Sequence, residues 1–150
     1  MVTQRNIRTN FSFCPSEGEG GAWHATLDSL ERAVREAFPE HTIGYRRSGI
    51  HEMTVLDFEI ELSADVWVDG TAAITEPDYA YITLTNVTAD EAGVFAVWLR
   101  DSFVPTPTLV RFVSSLAMAN SEETPSSLPA QGTCEDIADL LRRHVNAFGY

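Results

Sequence analysis

Apolar and acidic residues alternate along the middle of the chain. Within the run from Met53 to Leu62, the apolar residues Leu56, Phe58, Ile60 and Leu62 alternate with the acids Asp57, Glu59 and Glu61. Because successive side chains of a β-strand point to opposite faces, this pattern predicts a half-buried strand. Its outward face carries three carboxylates spaced about 7 Å apart.

Three further runs have the composition of strands, namely His41 to Arg47, Val66 to Thr75 and Tyr79 to Val87. Together with the alternating run they predict a four-stranded antiparallel meander. Asp69-Gly70 is a candidate tight turn within this region, and Glu76-Pro77-Asp78 is the predicted turn before the last of the four strands.

Helical patterns flank the meander on both sides. Before it, apolar residues recur at helical spacing from Leu27 to Phe38, and Pro39 ends the segment. After it, Thr88-Ala-Asp-Glu91 is a capping box that predicts the start of a second helix, which Pro105 ends. A last helix is predicted from Cys134 to Phe148, with acids in its first turn and Gly149 after its end.

The segment from Thr108 to Ser115 fits two patterns. It has the composition of a strand, but its apolar residues also recur at helical spacing toward Leu116. A strand is the preferred interpretation and a short helix is the alternative. Prolines and serines from Ser121 to Gln131 predict a loop, and a first strand is expected within Arg8 to Cys14.

The resulting order is strand, helix, four-strand meander, helix, strand and helix. It predicts an α+β fold in which an antiparallel sheet carries its helices on one face. A chain of 150 residues is long enough to bury about two thirds of its unfolded surface around one core. Residues 1–150 are therefore expected to form one domain, without disulfides or metals to support it.

The acidic residues are concentrated in one third of the chain. Ten of the 22 lie between Ser48 and Leu99, where there is no arginine or lysine, so this segment carries −10 of the net charge of −12. A field of this kind steers a cationic partner to one surface. It also disfavours nucleic acid and anionic lipid as partners, because both are recognised by clustered basic residues.

The strand pattern predicts which face of the sheet half of these acids occupy. If neighbouring strands pair as predicted, one open sheet face combines carboxylates with aromatic rings: Asp57, Glu59, Glu61, Asp65, Trp67, Asp69, Tyr79 and Tyr81. Aromatic residues supply contact energy in protein interfaces, and acids orient a basic partner. The alternative interpretation is an ordinary polar outer face that keeps the protein in solution, with Trp67 covered by a loop.

No catalytic motif is present, and no cofactor or metal site is predicted. The histidines, at His24, His41, His51 and His144, lack the spacing of metal ligands. His144 falls on the apolar stripe of the last helix, which predicts a packed, structural role. His51-Glu52 is the one candidate acid–base pair and carries the alternative hypothesis of a small enzyme.

The cysteines, the N-terminal segment and the length of the apolar runs indicate the cellular compartment. Cys14 and Cys134 are far apart and belong to no metal-binding or redox motif, which is typical of reduced thiols in the cytoplasm. The segment from Met1 to Asn10 has no apolar stretch of the kind found in secretory signals. The longest apolar run, Gly93 to Leu99, is far shorter than the ~20 residues that span a bilayer.

The acidic meander and the closing segment Leu128-Pro-Ala-Gln-Gly-Thr-Cys-Glu-Asp-Ile137, which leads into the last helix, resemble the small cytoplasmic immunity proteins of bacterial toxin systems. The resemblance is one of size, element order and charge, so no residue role follows from it. It implies a protein that binds and blocks a basic toxic enzyme, often a nuclease, through its acidic face. A further alternative is a self-associating accessory subunit that buries Trp67 and the tyrosines against an identical copy.

Overall fold

All strands described in the computed structural model belong to one sheet. The described residues are 7–16, 21–47, 53–75, 79–122 and 124–149. The strands are β1 (Thr9–Cys14), β2 (His41–Arg47), β3 (Thr54–Ser63), β4 (Val66–Thr75), β5 (Tyr79–Val87), β6 (Arg111–Ser114) and β7 (Ser126–Ser127). The α-helices are α1 (Leu27–Ala37), α2 (Ala89–Trp98), α3 (Ser115–Ala119) and α4 (Cys134–Gly149).

The spatial order of the sheet is β2-β3-β4-β5-β1-β6-β7, and every neighbouring pair is antiparallel. The predicted meander is confirmed as β2 to β5. The first strand of the chain lies between the meander and β6, because β1 pairs with both β5 and β6. The α+β class with an antiparallel sheet is therefore confirmed.

One face of the sheet forms the core with the helices. Leu56, Phe58 and Ile60 of β3 are almost fully buried, as are Leu30 of α1 and Phe95 of α2. The rings of Phe58 and Phe95 stack with their centroids 6.0 Å apart. Burial of each large apolar side chain contributes roughly 1.5–3 kcal/mol, so this layer holds the helices to the sheet.

Gly70 lies within continuous β4, so the expected tight turn at Asp69-Gly70 is wrong. The glycine is paired with Phe58 of β3, and a Cβ atom at Gly70 would lie 2.2 Å from Cζ of that ring. The missing side chain makes room for an aromatic ring on the core face. A packing requirement, rather than a turn, explains glycine here.

Helix α2 begins where its capping residues predict. Thr88 Oγ1 accepts a hydrogen bond from the Glu91 amide at 3.2 Å, and Glu91 Oε1 accepts one from the Thr88 amide at 3.0 Å. This reciprocal pair confirms the predicted capping box. The C-terminal end of α2 continues into a π-helical turn from Leu99 to Phe103 before the chain extends at Val104.

Arg100, in that π-helical turn, connects α2 to the loop that precedes α4. Its side chain is 3% exposed and contacts both carboxylate oxygens of Asp101, at 2.7 and 3.0 Å. The same guanidinium donates to the carbonyl oxygens of Pro129, at 3.2 Å, and Gly132, at 2.8 Å. One charged group thus fixes the end of one helix and the approach to another.

The segment from Thr108 to Ser115 contains both of the predicted alternatives. A 3₁₀ turn at Pro107–Leu109 precedes the short strand β6, and α3 follows at once. Ser114 ends the strand and caps the helix, because its Oγ accepts a hydrogen bond from the Ala117 amide at 3.0 Å. The predicted loop after Ser121 contains the two-residue strand β7. The turn predicted at Glu76-Pro77-Asp78 lies outside the described residues.

Within the described ranges, none of the helices combines the length and the apolar character needed to cross a membrane.

Candidate protein-binding face

The face of the sheet opposite the core is called here the open face. Strand register and the alternation of side chains assign its residues on the four strands of the meander: Thr42, Gly44 and Arg46 on β2; Asp57, Glu59 and Glu61 on β3; Trp67, Asp69 and Thr71 on β4; Tyr81, Thr83 and Thr85 on β5. Helices α1 and α2 contact the sheet from its other side, where the core is.

Asp57 is already satisfied within the sheet. Arg46 Nε donates to its Oδ2 at 2.5 Å, and Thr71 Oγ1 donates to its Oδ1 at 2.8 Å. Arg46 lies just before the acidic third of the chain, so the local charge count overlooked this ion pair. Asp57 is therefore less available to a partner than the sequence predicted.

Glu59 and Asp69 are arranged differently. They are directly opposite each other in the β3–β4 register, and both are exposed. Side chains at such positions have Cβ atoms roughly 4.5–5.5 Å apart, and like charges there are destabilising. Among the described residues, no arginine or histidine forms an ion pair with either carboxylate. Their negative charge is left to solvent or to a partner.

Trp67 lies on the same face as Asp69, two residues along β4 toward the β3–β4 turn. Its side chain is 47% exposed, and it is directly opposite Glu61. Glu61 is half-buried and accepts a hydrogen bond from the Asp65 amide at 3.3 Å. An exposed indole beside carboxylates offers both an apolar surface and a π-face for a cation. We call Glu59, Glu61, Trp67 and Asp69 the Trp67 patch.

The other predicted residues lie at the margins of this patch. Asp65 is exposed in the β3–β4 turn, with a φ of 61°. It was predicted on the open sheet face, but it does not lie on a strand. Tyr81 is half-buried and pairs with Ala73, six residues along β4 from Trp67. At about 3.3 Å per residue it lies ~20 Å away, at the far end of the face. Tyr79 begins β5, and its side chain is outside the description.

A shallow depression of about 460 Å³ adjoins the Trp67 patch. It lies above Gly44, a residue of β2 that has no side chain. A Cβ atom at Gly44 would meet nothing within 4 Å. Carboxylates and hydroxyls of the open face surround it: Thr42, Asp57, Glu59, Asp69, Thr71 and Thr85. Sequence patterns gave no sign of this depression, because it depends on which residues become neighbours across strands.

His51 and Glu52 lie outside the described residues. Burial raises the pKa of the half-buried Cys14 thiol, against the opposing effect of Arg111, which disfavours the nucleophilic thiolate. In the part of the chain that is described, no three His, Cys, Asp or Glu side chains are placed to hold a metal ion.

His144 has the packed role that its position on the helix predicts. Its ring contacts Phe11, Phe112 and Phe148, with centroids 5.2–6.2 Å away. Its Nε2 is 2.8 Å from Oγ of Ser114, which is fully buried and also caps α3. Burial lowers the pKa of His144, although the charge of Glu122 acts in the opposite direction. The fully buried Ser114 thus serves both the packing of His144 and the cap of α3.

Comparison of the chain with protein-family models, with curated protein sequences and with solved structures gave no match.

Proposed function

We propose that this protein is a non-enzymatic binding protein that neutralises a basic partner protein through the open face. Immunity and inhibitor proteins of bacterial toxins act in this general way. The observation that carries the proposal is that Glu59 and Asp69, which form no ion pair with a described residue, are directly opposed and lie beside the half-exposed Trp67. Carboxylates and an aromatic side chain are thereby presented together on one surface.

The energetics favour a cationic partner over a purely solvated face. Two opposed carboxylates repel each other and reduce the stability of the sheet, and a lysine or arginine from a partner relieves that repulsion. Trp67 supplies a large apolar surface, and tryptophan and arginine are both enriched among residues that dominate binding energy. The Trp67 patch thus has one part that orients the partner and one part that anchors it.

Affinity copurification from the source organism tests this proposal. Three baits are compared: the wild type, Glu59→Arg/Asp69→Arg on the open face, and the matched control Glu36→Arg/Glu135→Arg. The control acids are exposed on α1 and α4, outside the open face, and both variants change the net charge equally.

We expect a basic protein that is enriched by the wild type and by the control but lost from the open-face variant. Enrichment of the same protein by all three baits, or recovery of no basic protein, contradicts the proposal.

A further inference from the structure

Strand β2 forms a long edge of the sheet. Its seven residues pair with β3 without a register shift, from His41 opposite Ile60 to Arg47 opposite Thr54. On its other side, no strand of the described chain is present. Residues 44–47 are exposed, so the outward amide and carbonyl groups of this edge are open to a further strand.

The two edges of the sheet differ in the protection they receive. At the far end, β7 has only two residues, too few to offer a template for pairing. Natural edge strands are protected by shortness, charged side chains, proline or a bulge. β2 contains no proline or bulge, and its charged residues, Arg46 and Arg47, lie at one end, so its regular pairing suits the addition of an extended segment.

Gly44 adds a specific feature to this edge. It faces the open side of β2, opposite Asp57, and the depression of about 460 Å³ begins above it. A side chain on an added strand next to Gly44 meets no side chain from β2 itself. It can cross the glycine toward Glu59 of β3, which lines the same depression.

The charge of the surroundings selects the kind of side chain. Arg46 is the one cation of β2 on the open face, and its guanidinium is held by Asp57. By strand alternation Arg47 points to the other side of the sheet. The unpaired groups within reach are therefore carboxylates, which favour lysine or arginine.

We propose that the β2 edge receives an extended segment of the basic partner as an eighth strand, with a lysine or arginine lying over Gly44 and directed toward Glu59. This inference rests on the proposed function and specifies the form of the partner: a strand-like basic segment whose cations alternate. A second copy of this chain is the competing occupant. The net charge of −12 acts against close association of two copies.

The test uses a synthetic nine-residue peptide of alternating arginine and threonine, titrated into the full chain and followed by amide NMR shifts and hydrogen exchange. A second peptide has the same sequence with alternate backbone amides methylated, which removes hydrogen-bond donors without changing charge. Gly44→Val fills the depression, and Ala73→Val on β4 is the matched control elsewhere on the open face. A Cβ at Gly44 meets nothing within 4 Å, so Gly44→Val is expected to fold.

We expect slowed amide exchange at residues 42–46 when the wild type binds the unmethylated peptide. The affinity is expected to fall at least ~10-fold both for Gly44→Val and for the methylated peptide, and to be unchanged for Ala73→Val. The inference is overturned by absence of peptide binding, by equal affinity for Gly44→Val, by equal binding of the methylated peptide, or by pairing of β2 with a second copy. None of these outcomes affects the proposed function, which fails separately if Glu59→Arg/Asp69→Arg retains the copurified partner.

Discussion

Glu59 and Asp69 face each other directly across β3 and β4, as two exposed carboxylates that no described cation balances. Some other acids of the chain are paired: Glu91 with Arg8, Glu31 with Arg35, and Asp90 with Arg142. The arrangement at Glu59 and Asp69 costs stability without an evident structural benefit. Such a cost is typical of a surface that is shaped for binding.

The repulsion between these carboxylates is measurable by a double-mutant cycle. Glu59→Gln and Asp69→Asn remove charge with little change in shape, and each is expected to raise the free energy of unfolding. We expect an unfavourable coupling of roughly 0.2–1 kcal/mol in urea denaturation at low salt, which decreases as salt is added. A coupling of zero, or a favourable one, contradicts the assigned repulsion.

Trp67→Ala separates binding from folding. The side chain is 47% exposed, so we expect the free energy of unfolding to change by less than ~1 kcal/mol. Loss of an interface anchor is expected to cost ~2 kcal/mol or more of binding, or about 30-fold in Kd for the copurified partner. Met118→Ala on α3 is the control, because Met118 is 45% exposed but lies outside the open face. Equal effects of the two substitutions on Kd exclude Trp67 as an anchor.

Arg100→Met is expected to destabilise the protein strongly. The guanidinium is 3% exposed and donates to Asp101, Pro129 and Gly132, so its loss leaves several acceptors without a donor. We expect a decrease of about 3 kcal/mol in the free energy of unfolding. Arg100→Lys is expected to recover only part of it, because lysine lacks the planar fork of donors.

Arg32→Met is the control for Arg100. The Arg32 side chain is 74% exposed, and its ion pair with Asp28 is on the surface. We expect a change below ~0.5 kcal/mol. If Arg100→Met is as mild as this control in urea denaturation, Arg100 does not hold the loop to α2.

The half-buried ring of His144 predicts a pH dependence of stability. Burial lowers its pKa in the folded state below the ordinary value of 6.5, so below that pH the unfolded chain binds a proton more readily than the folded one. The contribution of His144 to the free energy of unfolding is therefore expected to be constant above about pH 7 and to fall as the pH drops through 6.5. His144→Gln, which retains a hydrogen-bonding group for Ser114, is expected to reduce this slope between pH 7 and 5.5. An unchanged slope in that variant assigns the dependence to other groups.

Much of the meander was predictable because its determinants are local. The alternation in β3 depends only on the period of a strand, and the ends of β2, β4 and β5 agree with the predicted runs. The start of α2 was equally clear, because Thr88 and Glu91 are only three residues apart. In each case neighbouring residues contain the whole signal.

The features that sequence patterns missed depend on contacts between distant residues. Nothing local places β1 between β5 and β6, or brings Arg100 against Pro129. The same holds for the candidate site. The sequence indicated which acids face outward, but only strand register shows that Asp57 is paired with Arg46 while Glu59 faces Asp69. The depression over Gly44 needs four adjacent strands to exist.

The most direct test of the binding account is the association rate constant with the copurified basic partner, measured by stopped flow over a range of ionic strength. It is compared for the wild type, Glu59→Arg/Asp69→Arg and Glu36→Arg/Glu135→Arg, after each variant has been shown to fold. The account predicts that the open-face reversal slows association at least ~10-fold at low salt and weakens its salt dependence, while the control changes it less than ~3-fold. Equal slowing by both variants, or by neither, contradicts it.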